Sequence, residues 1–194
     1  ASRWKTHPRF HFLVRLDSSA TNALADTVDS LNQQIHEGWH FDIVSLMPSP
    51  DVISEIPFID WHTIHNAQEA KQAIDTLVAS RNFDWIIELP AGASLDPLCL
   101  WRIAEEIDRH PEFSAFYVDD YSIDREGERV ETRFKPGVNP EWLRSADLAG
   151  PVFVRRDVWP ATGGASVRDG SPWFSQLLRI AEKFGWSSIS HVPD

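Results

Sequence analysis

The chain has 194 residues, 42% of them hydrophobic and 24% charged, enough for one domain with a sizeable core. A formal net charge of -11 excludes the basic stripe that phosphate backbones require, so no nucleic-acid partner is expected. The lone cysteine, Cys99, excludes an internal disulfide and a cysteine-based zinc cluster, and its apolar setting predicts a buried, inert thiol. No apolar run approaches membrane-spanning length and the first residues lack the core of a signal peptide, which makes the cytoplasm the default address. The nine tryptophans are scattered singly, a pattern of packing rather than of a sugar platform.

Residues 10–16 read as a first strand, followed by turn and cap residues at Asp17, Ser18 and Ser19. Leu24, Val28, Leu31 and Ile35 then recur at helical spacing over 21–37, ending at Gly38. A second strand spans 41–47, closed by Pro48 and Pro50; Ile64 marks a weak third strand before a helix over 67–80. Trp85, Ile86, Ile87 and Leu89 form a buried strand that breaks at Pro90 and Gly92, and Asp96-Pro97 starts a helix that Pro111 stops. Residues 113–118 are a further strand.

The second half is less regular. Residues 119–127 are polar and turn-rich, 129–134 read as an edge strand, and 141–145 as a short helix. A strand over 151–155, a turn region over 158–164, a helix over 173–184 and a last strand over 187–192 complete the chain. Alternating strands and helices without a linker or repeat predict a single α/β/α sandwich with a mostly parallel central sheet. Ligands of such sheets bind beyond the carboxyl ends of the strands, so residues 90–96 should face whatever is bound. Pro, Ala, Gly and Ser at that edge offer little side-chain chemistry.

Several runs carry a resemblance. Phe116-Tyr117-Val118-Asp119-Asp120, then Ile123-Asp124-Arg125-Glu126-Gly127, then Phe134-Lys135-Pro136 and Asn139-Pro140-Glu141-Trp142-Leu143 resemble family 2 glycosyltransferases of the GT-A fold. The pattern is most similar to the bacterial O-antigen and rhamnan-type members, with their Tyr-Ser-Asp-Glu-Asp, Ile-Asp-x-x-Gly and Phe-Lys-Pro. Ser30 to Gln34, Val154-Arg155-Arg156 with Gly163-Gly164, Leu178 to Glu182 and His191-Val192-Pro193 match other pieces in the same order. The resemblance implies a GT-A-like domain over 1–194, a fragment of a longer polypeptide. The other domains of a larger glycosyltransferase, or its complex, would be its partners, holding it at the inner face of the membrane; nucleotide sugar or glycan would be its ligand.

The same resemblance implies acids in three places: one holding the donor's base, a Leu-Asp-x-Asp-Asp loop binding a divalent cation, and a Glu-Asp pair supplying the base that deprotonates the acceptor. This chain departs at each. Its second strand ends in Leu46-Met47-Pro48-Ser49; aligning Leu89 with the family's Leu sets Pro90, Gly92 and Ala93 at acidic positions; Ser171-Pro172-Trp173-Phe174 falls where Glu-Asp is expected. The expectation is a degenerate domain, with no catalytic residue, metal ligand or cofactor of its own, serving a structural or acceptor-binding role beside an active transferase. The alternative is an active inverting transferase that moves a sugar from a nucleotide-sugar donor to a glycan with Mn or Mg held by displaced acids.

Glu88 and Asp96 could supply such acids, but read more simply as a strand residue and a helix cap. Asp119 and Asp120, at a strand's carboxyl end, suit either a ligand role or a turn. Lys135 suits either a sugar or phosphate contact or a local ion pair, and these three are the ligand-binding candidates. His191 reads as a satisfied strand histidine rather than a metal ligand. His62 and His65 have no companions at zinc spacing and receive no site. The chain's stop at Asp194, just after His-Val-Pro, adds to the expectation of an excised piece.

Overall fold

The computed structural model describes residues 5–16, 23–124, 126, 128–145, 149–165 and 172–193. Strands β1 (Phe10–Leu16), β2 (Trp39–Ser45), β3 (Ile59–Thr63), β4 (Trp85–Leu89), β5 (Ala115–Val118), β8 (Val152–Arg155) and β9 (Ile189–Val192) form one sheet in the order β3-β2-β1-β4-β8-β5-β9. Only β8 runs against its neighbours β4 and β5. A separate antiparallel ribbon joins β6 (Asp120–Ile123) to β7 (Arg129–Arg133).

Side-chain alternation sorts the sheet into two buried faces. Phe10, Phe12, Val14, Phe41, Ile43, Trp85 and Ile87 pack against α1 (Leu24–Asn32) and α3 (Cys99–Arg109). Leu13, Val44, Ile86, Tyr117 and Val154 pack against α2 (Ala67–Ser80), α4 (Pro140–Ser145) and α5 (Pro172–Phe184). Each fully buried Leu, Ile, Val or Phe contributes about 1.5–3 kcal/mol of transfer free energy; such residues and aromatics fill one face of β1, β2 and β4, while the other face mixes Leu13, Val44 and Ile86 with His11, Asp42 and Glu88. This is the mostly parallel α/β/α sandwich expected from the alternation.

Four local expectations change. Helix α1 ends at Asn32 rather than 37, because Gln34 is buried and used elsewhere: its amide donates to the Asp96 carbonyl at 2.8 Å and accepts from the Leu100 amide at 3.1 Å. Ile35 is therefore off the helical face and 60% exposed. Helix α3 begins at Cys99, and Asp96 caps the preceding turn by accepting from the Leu98 amide at 2.9 Å. Residues 120–123, expected as turn, are strand β6, held by its pairing with β7 and by Arg129 stacked 3.8 Å over the Tyr121 ring. Cys99 is half-buried rather than buried. The turn at 17–19 lies outside the described residues.

Candidate functional site

The carboxyl ends of β4 and β5 carry most of the residues singled out by sequence. At the end of β4 the chain reverses in a tight turn, with the Ala93 amide donating to the Pro90 carbonyl at 3.1 Å. Gly92 takes φ +90° there, as the third position of a type II turn requires. Its amide donates to Thr27 Oγ1 at 2.9 Å, and a Cβ at this position would stand 3.0 Å from the Cβ of Ala23. The turn is thus pressed onto α1. Pro90, Gly92 and Ala93 sit together in it, presenting ring carbons, methyl groups and backbone.

Behind the turn, Glu88 faces the opposite side of the sheet and is buried. Burial pushes its carboxyl above the usual range, opposed by Arg15, whose Nε donates to Glu88 Oε1 at 2.6 Å. Trp173 of α5 donates its indole N–H to the Glu88 carbonyl at 2.5 Å, so it closes over the strand end. Ser171 lies outside the described residues.

The end of β5 brings Asp119, Asp120 and Lys135 together. Asp119 Oδ1 accepts from the Lys135 amide at 2.7 Å and pairs with His191 Nε2 at 2.8 Å. Asp120 pairs with Lys135 Nζ at 2.7 Å and with Arg133 Nε at 2.6 Å. The Lys135 ammonium also donates to the carbonyls of Val118 and Ala149, at 2.6 and 2.8 Å. Burial lowers its pKa from the ordinary lysine value, with Asp120 opposing. Gly150, at φ +64°, passes close by: a Cβ there would meet Asp120 Oδ2 at 3.1 Å and Lys135 Nζ at 3.3 Å. The Tyr117 ring stacks on His191 at 4.9 Å and its hydroxyl donates to the Pro136 carbonyl at 2.8 Å. Burial, then the charge of Asp119, raises this phenol to about 12.

A divalent cation at the β4 turn would find no side-chain oxygen on Pro90, Ala91, Gly92 or Ala93. Asp96 Oδ1 already accepts from a backbone amide, Asp119 Oδ1 is engaged with the Lys135 amide and the His191 ring, and Asp120 with the Lys135 ammonium. The residues present at this turn do not fit the ion.

The richest polar cluster lies toward the amino end of the sheet. Asp42 is fully buried, and its Oδ2 accepts from His11 Nε2 at 2.6 Å and Arg81 Nε at 3.1 Å. Its Oδ1 accepts from His62 Nε2 and Arg81 Nη2, both at 2.7 Å. Burial opposes ionisation of Asp42, but the bonds from His11, His40, His62 and Arg81 outweigh it and hold the carboxyl far below the usual range. Arg81 Nη2 also pairs with Asp60, which lies 3.1 Å from His40 Nε2. Sequence reasoning left His62 without companions; the fold supplies them. The legible signal is the pair His40-x-Asp42 and Asp60-x-His62, which puts each pair on one face of adjacent strands. A cavity of about 960 Å³ is at the same end of β4, walled by Trp85, Trp159, Arg155 and Arg156.

No protein-family model matches the chain. The O-antigen biosynthesis protein RfbC of Myxococcus xanthus is 25% identical along the whole of this chain, which spans 16% of that relative's length. Residues 1–349 of TarS from S. aureus superpose with a TM-score of 0.69 at 11% identity, covering 96% of this chain and 58% of that one. The mannosyltransferase PcManGT from Pyrobaculum calidifontis, solved with GDP-Man and Mn2+, gives 0.63 at 12% identity, covering 98% of this chain and 60% of that one. The fold is that of the GT-A glycosyltransferases. No described helix is long and apolar enough to cross a membrane.

Proposed function

We propose that this GT-A domain belongs to a larger protein of bacterial surface-polysaccharide assembly, where it serves a structural or acceptor-binding role beside an active transferase rather than transferring sugar itself. The observation that carries this reading is the turn after β4. Where the family resemblance calls for cation-binding acids, the chain has Pro90, Gly92 and Ala93, packed on α1 around a left-handed glycine. Recruiting an acid there by a small shift would require rebuilding that turn. The likeness to an O-antigen biosynthesis protein, of which this chain matches about a sixth, supports the setting.

Asp119, Asp120 and Lys135 remain the ligand-binding candidates in this reading. Asp120 is the member of the group that reaches solvent, its side chain 25% exposed, and can take sugar hydroxyls; Lys135 and Asp119, 3% and 5% exposed, hold the group in place from beneath.

The test is calorimetric titration with UDP-GlcNAc and GDP-mannose, with and without Mn(II), beside binding of O-antigen polysaccharide. The expected result is no manganese-dependent donor binding, with polysaccharide binding weakened by Asp119→Asn or Trp173→Ala if the role is acceptor binding. Micromolar, manganese-dependent donor binding with release of the nucleotide diphosphate overturns the reading in favour of an active inverting transferase.

A further inference from the structure

The Asp42 cluster stands at the end of the sheet away from the β4 turn and is independent of the polysaccharide reading. Nε2 of His40, one oxygen of Asp42 and one of Asp60 lie within 4.8 Å of one another. His40 Nε2 stands 3.5 Å from Asp42 Oδ1 and 3.1 Å from Asp60 Oδ2. In a tetrahedral zinc site with ligand bonds near 2.0–2.1 Å, ligand atoms are separated by roughly 3.3 Å. The two measured edges bracket that value.

The surroundings favour a cation as well. His11 holds Asp42 Oδ2 at 2.6 Å and so turns Oδ1 toward His40 and Asp60, the outer-shell arrangement that orients metal-bound carboxylates. The His11 and His40 rings stack on Phe83 at 5.3 and 5.7 Å, which fixes their planes. The Asp60 side chain is 50% exposed, leaving a path from solvent and room for water to complete the coordination. The present counter-ion is Arg81, which lies just past the end of α2 in extended backbone, its side chain 28% exposed. Arg81 brings one positive charge to the two carboxylates, where a divalent ion would bring two.

We propose that His40, Asp42 and Asp60 form a binding site for a borderline first-row divalent cation, Zn(II) or Co(II), which enters by displacing the Arg81 guanidinium. The imidazole selects against Mg(II) and Ca(II), which take oxygen ligands. The three ligands come from adjacent positions on β2 and β3, so the ion would fasten the free edge strand β3 to the sheet.

Equilibrium dialysis with Zn(II), and titration with Co(II) followed by its visible ligand-field absorption, test the site on the whole chain. One ion per chain is expected, bound roughly tenfold or more weakly by His40→Ala and by Asp60→Asn, and more tightly by Arg81→Ala. His40 and Asp60 lie at the rim, so circular dichroism of their variants checks that the fold persists. Uptake unchanged in both rim variants overturns the proposal, because the ion then sits elsewhere. So does a lack of stoichiometric uptake by the wild type and by a folded Arg81→Ala.

Discussion

The two ends of the sheet spend their polar residues differently. At the carboxyl end, β4 turns away through methyl groups and backbone, Glu88 and Asp120 each have a cationic partner, and Asp119 is held by the Lys135 amide and the His191 ring. At the amino end, a single buried carboxylate gathers imidazoles and a guanidinium from β1, β2, β3 and the end of α2. Open α/β topology makes the carboxyl end the place where a ligand site can form. It does not furnish that place with chemistry, and here the densest constellation of ligating groups stands at the other end.

The largest effect should come from the amino end. Asp42→Ala removes the one acceptor shared by His11, His62 and Arg81, leaving the buried His11 ring nitrogen without its acceptor and the partly buried Arg81 with Asp60 alone. The expected loss is about 3–5 kcal/mol of unfolding free energy in urea titration. A loss below 1 kcal/mol, on the order of a surface pair, would show that water replaces Asp42 and would erase the contrast between the two ends.

That cluster was poorly legible in the sequence for a physical reason. Its members come from four elements up to 70 residues apart, from His11 to Arg81, and only register brings them together. By contrast β1 and β4 were legible from short-range signals, mostly apolar runs that turn-forming residues such as Asp17, Pro90 and Gly92 bring to a stop. The grouping of Asp119, Asp120 and Lys135 was legible through the resemblance, but the burial of Lys135 was not, because an ammonium's surroundings depend on carbonyls 14 and 17 residues away. Strand β6 was missed because its pattern is polar and half exposed, with pairing rather than apolar burial holding it.

At the carboxyl end, Arg15→Met should cost about 2 kcal/mol near neutral pH, between the values for surface and buried pairs, since Arg15 is 29% exposed. The pH dependence carries the diagnosis. Glu88 has a folded-state pKa above the ordinary 4.5, so the folded chain keeps its proton to higher pH than the unfolded chain. The stability this brings is complete below the unfolded value and is lost as pH rises through the folded one. Removing Arg15 raises the folded pKa further, so the variant should recover stability relative to wild type as pH is lowered toward 5. A deficit that is the same at both pH values would assign Arg15 a packing role instead.

Gly92→Ala probes the turn that carries the functional reading. An L side chain at φ +90° costs about 1–2 kcal/mol, and its Cβ meets that of Ala23 at 3.0 Å. The expected loss lies in this range by thermal or urea unfolding. A neutral substitution would mean that the turn relaxes readily, which would weaken the case that its geometry bars an acidic, cation-binding loop.

The smallest effect separates a structural from a ligand role for Trp173. Trp173→Phe keeps an aromatic ring on the α5 side of the core and deletes the indole N–H that reaches the Glu88 carbonyl. One lost hydrogen bond to a strand-end carbonyl costs about 1 kcal/mol. The Glu88–Arg15 pair is made by different atoms and should be retained, leaving the pH profile of stability parallel to that of wild type. If Trp173 serves only to close the end of β4, polysaccharide binding is unchanged in this variant. If its N–H is shared with an acceptor sugar, binding weakens by more than the small stability loss explains, and the carboxyl end then holds a glycan contact that ion-pair chemistry alone does not reveal.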